Sequence, residues 1–174
     1  MTEDPNELTI DAFLADSVVV ADNKLYVQGA GWDTIFAASF PARHPRLGIG
    51  VLLRVPWTLT NQVHDFGIRI VDPDDNRLSL GNAAGGTPGS IEGQISEIRG
   101  QFNVGRPPVL SPGDSQLVPI AMNLDGIEFA APNAYSVVVS IDGHDVRRVP
   151  LRIRTLPQMP TPGPGPGQIP FLGR

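Results

Sequence analysis

Residues 134–154 read AYSVVVSIDGHDVRRVPLRIR, and this stretch decides the fold. Tyr135, Val137, Val139 and Ile141 occupy every second position. Val149, Leu151 and Ile153 do the same, with Arg148, Arg152 and Arg154 on the opposite face. Successive side chains of a strand point to opposite faces, so a period of two marks a strand with one buried face. Between the runs stands Asp142-Gly143, a pair suited to the positive backbone dihedrals of a two-residue hairpin turn. The spacing predicts an antiparallel hairpin, 134–141 against 146–154, with its aliphatic face inward.

The same alternation recurs upstream. Leu47, Ile49, Val51, Leu53 and Val55 share a face, and so do Val118, Ile120, Met122 and Leu124. Phe66, Ile68 and Ile70 oppose Asp65 and Arg69, while Ile98, Phe102 and Val104 oppose Arg99, Gln101 and Asn103. Ser17–Ala21 and Lys24–Ala30 flank Asp22-Asn23 and read as a tight hairpin. About eight strands separated by turn chemistry predict an all-β fold, an antiparallel β-sandwich of immunoglobulin-like or similar Greek-key type.

Asp72-Pro73-Asp74-Asp75-Asn76 has the residues of a turn folding 63–71 back onto 77–81, and Ser111-Pro112-Gly113-Asp114 resembles it. Proline cannot donate to a ladder, so Pro56, Pro119 and Pro150 belong at strand ends, edges or bulges. Arg106-Pro107-Pro108 reads as a rigid connection between the two sheets. At most one short helix is expected. Ile91, Ile95 and Ile98 follow Ser90 at helical spacing, with Gly93 and Gly100 limiting its length, and 8–16 reads as a short helix or the opening strand.

The 174 residues suit one domain, 8–155, with an N-terminal arm at 1–7 and an extended tail at 156–174. Residues 157–170 hold six prolines and three glycines, a composition that builds no core. At its end stand Ile169, Phe171 and Leu172, the expected partner-binding side chains of a docking peptide. The small-residue loop 81–89 is expected to order against a partner.

Composition excludes several functions. The chain has no cysteine, so it holds no disulfide, thiolate zinc site or cysteine nucleophile. A net charge of −5 argues against nucleic acid as a partner. The acidic start lacks a basic segment and apolar run, and no stretch approaches the ~20 apolar residues of a membrane helix. The expected location is the cytoplasm, or an assembly formed there. Twelve arginines against the single Lys24 suit bidentate anion recognition, or reflect only the codon usage of a GC-rich genome.

The chemistry-bearing residues are few. His44, His64 and His144 are the candidate bases, but no serine stands in a nucleophile elbow. Asp72, Asp74 and Asp75 cluster oxygens of the kind calcium prefers, and Asp142 and Asp145 would be a second contribution from a neighbouring turn. The EF-hand pattern fails, because Arg77 and Ala83 stand where glycine and glutamate are needed. Ordinary hairpin turns use the same Asp and Asn residues. His64-Asp65 and His144-Asp145 are neighbours on strands and therefore face opposite ways. Gly29-Ala30-Gly31 lacks the rest of a dinucleotide fingerprint. Trp32, Trp57 and Tyr26 form either a sugar-stacking platform or corner packing. No cofactor is expected.

Four stretches, ADSVVVADNKLYVQGAGW (15–32), Val55-Pro56-Trp57, Val104-Gly105-Arg106-Pro107-Pro108 and YSVVVSIDG (135–143), together resemble an uncharacterised bacterial family known only as a domain of unknown function. The likeness covers roughly residues 8–155 and implies a β-sandwich without implying an activity or a site. The last hairpin is also similar to the final strands of immunoglobulin-like modules. The expected function is a non-enzymatic protein-interaction module, binding protein partners or itself through the tail and edge strands. The alternatives are a structural component of a large particle such as a phage virion, and a calcium- or carbohydrate-binding domain.

Overall fold

A computed structural model describes residues 7–81, 95–109 and 111–157. The chain is all-β. In order, its strands are β1 (Thr9–Ala15), β2 (Ser17–Ala21), β3 (Lys24–Gln28), β4 (Thr34–Ala37), β5 (Ala42–Val55), β6 (Val63–Val71), β7 (Ile98–Asn103), β8 (Gln116–Phe129), β9 (Asn133–Ile141) and β10 (His144–Thr155). They form a three-stranded sheet β1-β5-β8, a five-stranded sheet β4-β10-β9-β6-β7, and a separate hairpin β2-β3.

The period of two is realised as burial. Leu47, Ile49, Val51, Leu53 and Val55 of β5 are wholly buried, as are Val137 and Val139 of β9 and Leu151 and Ile153 of β10. Residues from both larger sheets make one hydrophobic cluster, to which β6 adds Phe66, Ile68 and Ile70 and β8 adds Leu124, Ile127 and Phe129. The Arg face of β10 points to solvent or to acidic partners, as with Arg152 on Asp33.

Both predicted two-residue turns form. Asp22 and Asn23 have φ of 49° and 56°, and Asp142 and Gly143 have 50° and 80°. These dihedrals match the right-handed twist of the flanking strands. Pro56 ends β5, and Pro119 lies on β8, an edge strand. Pro150 lies in β10 before β4 begins to pair with it at Arg152. The 104–115 connection runs from the five-stranded sheet to the three-stranded one.

Several expectations are corrected. The described residues form ten strands rather than about eight: segment 8–16 supplies β1, and β4 carries too few residues to show a period. Pairing is antiparallel except that β4 runs parallel to β10. Segment 77–81 does not return as a strand. The turn closes through Asp72 N–H to the Asn76 carbonyl, and only a single bridge, Val71 to Arg77, follows. The expected helix after Ser90 falls largely in 82–94, outside the described residues, and Ile98 opens β7 instead. The helical turn that does form is a 3-10 turn at Trp57–Leu59, directly after Pro56. The loop from 82 to 89 and the tail residues Ile169, Phe171 and Leu172 also lie outside the described residues. Among those described, no helix is long and apolar enough to cross a membrane.

Candidate functional site

The β2–β3 hairpin lies across the outer face of the three-stranded sheet. Outward positions of β5 hold Gly48 and Gly50, and both are buried. A Cβ on Gly48 would stand 3.0 Å from the Ala15 carbonyl and 3.1 Å from Ser17 Cα; one on Gly50 would stand 2.6 Å from the Phe13 ring. The missing side chain at Gly48 lets the backbone at the start of the hairpin approach the sheet, and the one at Gly50 makes room for the Phe13 ring and Leu25. Asn123 of β8 then fastens it, accepting from Val18 N–H at 3.0 Å and donating to the Val18 carbonyl at 2.7 Å. At the hairpin's far end, Trp32 Nε1 donates to Asp16 at 3.1 Å.

The opposite face of this anchored hairpin is uncovered, with one large apolar pair at its centre. Val19 and Tyr26 are cross-strand partners and are 56% and 50% exposed. Val20 and Val27 are also exposed, but they point to the sheet-facing side with Val18 and Leu25. Exposed apolar side chains scattered singly need no explanation, but Val19 and Tyr26 stand side by side across the ladder on the uncovered face, an apolar pair suited to an interaction site. The hairpin is legible in the sequence, where Tyr26 belongs to a sugar-stacking platform or to corner packing. Each strand carries three consecutive apolar residues, Val18–Val20 and Leu25–Val27, so nothing local distinguishes the covered face from the open one.

The acidic residues expected as calcium ligands are placed on three separate duties. Asp72 caps its own turn, accepting from the backbone N–H groups of Asp74 and Asn76 at 2.9 Å each and from Asn76 Nδ2 at 3.0 Å. Hydrogen bonding by the Asn76 side chain is the main reason its carboxyl is held below the usual range. Asp74 is exposed in the same turn. Asp75 and Asp145 are brought together, but by Arg148, whose Nη2 lies 3.0 Å from one and 3.3 Å from the other. Asp145 also accepts from Arg69 at 2.6 Å, the main cause of its lowered pKa. Arg77 and Arg99 converge on Glu97 at 2.9 and 2.8 Å. The carboxylates thus face guanidinium groups across the outer sheet surface. Among the described residues no group of three or more His, Asp or Glu side chains is arranged to hold a metal ion.

Asp142 does something else. Its Oδ2 lies 2.7 Å from His64 Nδ1, and its Oδ1 accepts from Asp65 N–H at 2.8 Å. His64 is buried, stacks on Phe102, and directs Nε2 at the Leu59 carbonyl 2.8 Å away. Both ring nitrogens face acceptor oxygens, an arrangement fully satisfied only when both carry hydrogen, that is, in the imidazolium form. Burial opposes that charge, but hydrogen bonds to Asp142 and Leu59 and the charge of Asp142 outweigh it and raise the His64 pKa. The His64 hydrogen bond in turn lowers that of Asp142. Through these two contacts His64 latches the β9–β10 turn to the 3-10 turn. Asp65, its chain neighbour, faces outward and accepts from Gln101.

The tryptophans are occupied. The Arg106 guanidinium lies 4.5 Å above the Trp57 ring and donates to the Trp57 carbonyl at 2.9 Å and to Thr60 Oγ1. Trp32 meets His44 edge-on at 6.0 Å. Val55-Pro56-Trp57 and Val104-Gly105-Arg106, remote in sequence, therefore meet at one corner.

Residues 10–154 match DUF6941, a family of unknown function. The chain belongs to this family. The matched span runs from β1 to β10 and so contains the hairpin, the Arg106 corner and the His64 latch. No curated protein matches the chain.

Proposed function

We propose that this chain is a non-enzymatic protein-interaction module whose docking face is the β2–β3 hairpin, with Ile169, Phe171 and Leu172 as a second, peptide-type contact. The observation that carries the reading is the exposed Val19–Tyr26 pair on a hairpin that Asn123, Gly48 and Gly50 hold in place. A ribbon fixed to the sheet presents its side chains in a preorganised arrangement, which lowers the ordering cost of binding. The scaffold we infer is an immunoglobulin-like sandwich. Its support is the strand order: β1-β5-β8 and β10-β9-β6 correspond in sequence order to the A-B-E and G-F-C groupings of that fold.

The test is to identify, by cross-linking and mass spectrometry, the proteins bound to the full chain in its source cells. The interaction is then rebuilt from purified components. Val19→Asp and Tyr26→Asp variants, both at exposed positions, are expected to fold normally and lose binding. A reconstituted partner that binds both variants as well as the parent chain would remove the hairpin from the proposal.

A further inference from the structure

An open strand edge is a template for pairing, and folded proteins blunt such edges with proline, charge, bulges or short length. Most edges here are treated in this way. β8 carries Pro119, β4 has four residues, and β7 exposes Arg99 and Gln101. β2 has its outer edge bonded to Asn123 at Val18. β3 is different. It reads Lys24-Leu25-Tyr26-Val27-Gln28, with no proline and with its single charge at one end. Among the described residues no strand lies beyond it.

The hydrogen-bond phase of β3 follows from Asn123. Because Val18 turns both its N–H and its C=O toward Asn123, its cross-strand partner Val27 belongs to a non-hydrogen-bonded pair. Pairs alternate along an antiparallel ladder, so Leu25 is in the same phase. Leu25 and Val27 therefore direct their N–H and C=O groups away from β2, toward the open edge.

We propose that a second copy of this chain pairs with that edge, β3 against β3 about a two-fold axis through Tyr26. The proposal rests on the interaction-module reading above and names its partner. Leu25 would exchange two backbone hydrogen bonds with the partner's Val27, and Val27 two with the partner's Leu25. Tyr26 would stand opposite its own copy in a non-hydrogen-bonded pair, where side chains approach most closely. The two hairpins become one four-stranded sheet whose uncovered row runs Val19, Tyr26, the partner's Tyr26, the partner's Val19. On the other face, exposed Val27 is covered by the partner's Leu25. The register is compatible in charge, since Lys24 meets the neutral Gln28 of the partner subunit and no like charges face each other. Five-residue strands bury less than the ~1,200 Å² total typical of stable complexes, so the dimer is expected to dissociate in the micromolar range or above.

The chain has no cysteine, which allows an unambiguous test. Cα atoms of a non-hydrogen-bonded pair lie ~4.5 Å apart, within disulfide range, so Tyr26→Cys should oxidise to a covalent dimer. Val19→Cys, equally exposed on the same face, is three strand spacings or ~14 Å from its mate and should not. Sedimentation velocity of the unmodified full chain should show a monomer–dimer equilibrium from micromolar to near-millimolar concentration. A monomer throughout, species larger than a dimer, or equal cross-linking by the two variants would each overturn self-pairing. A different protein whose binding is lost in Tyr26→Asp would still uphold the interaction-module reading.

Discussion

The His64 latch makes a pH prediction that the geometry fixes in sign. His64 spans the 3-10 turn and the β9–β10 turn through contacts of 2.8 and 2.7 Å, each needing a ring hydrogen. Its folded pKa is raised from 6.5, so its contribution is complete below 6.5 and is lost as pH rises through the raised value. The folded pKa of Asp142 is lowered from 3.8, so its contribution is present above 3.8 and is lost as pH falls through the lowered value. The latch is thus strongest between 3.8 and 6.5. His144, in the same turn, also acts on Asp142, but in the lowering direction.

Asn at position 142 tolerates the φ of 50° and keeps an acceptor, so Asp142→Asn removes the charge and spares the turn. Hydrogen bonds to charged groups contribute about 1.5–3 kcal/mol. Asp142 is 48% exposed, which places this one at the lower end. Urea unfolding of the full chain and Asp142→Asn should therefore differ by about 1.5 kcal/mol near pH 5.5 and by half of that or less near pH 8.5. Nitrogen chemical shifts of His64 should show both ring nitrogens protonated at the lower pH. A stability difference that does not change with pH, or a ring nitrogen without hydrogen near pH 5.5, would refute the reasoning.

Three further outcomes are expected. Asn123→Ala leaves both polar backbone groups of Val18, itself 2% exposed, without their partner; unfolding free energy should fall by about 1–3 kcal/mol, with faster amide exchange in β2 and β3 than in β5. Gly48→Val places a branched side chain against Ala15 and Ser17 backbone and should lower stability by about 1–3 kcal/mol in the same titration, while Gly100→Val, which meets nothing within 4 Å, serves as the control. Arg106→Lys keeps the charge but loses the flat stacking on Trp57 and the fork to Thr60 and the Trp57 carbonyl; Trp57 fluorescence should shift and stability fall by about 1–2 kcal/mol, whereas unchanged emission would contradict the contact.

What the sequence revealed was what acts over a few residues. The alternation of Leu47 to Val55 and of Tyr135 to Ile141 directly reports which side is buried, and Asp22-Asn23 and Asp142-Gly143 report the turns. The parallel strand β4 escaped because four residues, Thr34–Ala37, hold too little pattern, and because pairing with Arg152–Thr155 is a long-range matter. The turn at 72–76 was legible, but its consequence was not: the edge next to Val63–Ile68 is taken by β7, which leaves residues 77–81 a single bridge. His64 and Asp142 lie 78 residues apart, and each has an acidic or histidine neighbour that suggested other partners. The exposed face of the hairpin was illegible for a simpler reason. Val19 and Tyr26 look like core residues until the sheet beneath them is known to meet the other side.

On the proposal above, the outer edge of β3 is where this protein meets another chain. Amide hydrogen exchange at Leu25 and Val27 tests it most directly, followed in the full-length chain over a hundredfold dilution. Both amides are predicted to be protected at high concentration and to exchange quickly once diluted, with Tyr26→Asp exchanging quickly throughout. Rates at these two amides that stay the same at every concentration, and with any bound partner present, would contradict it.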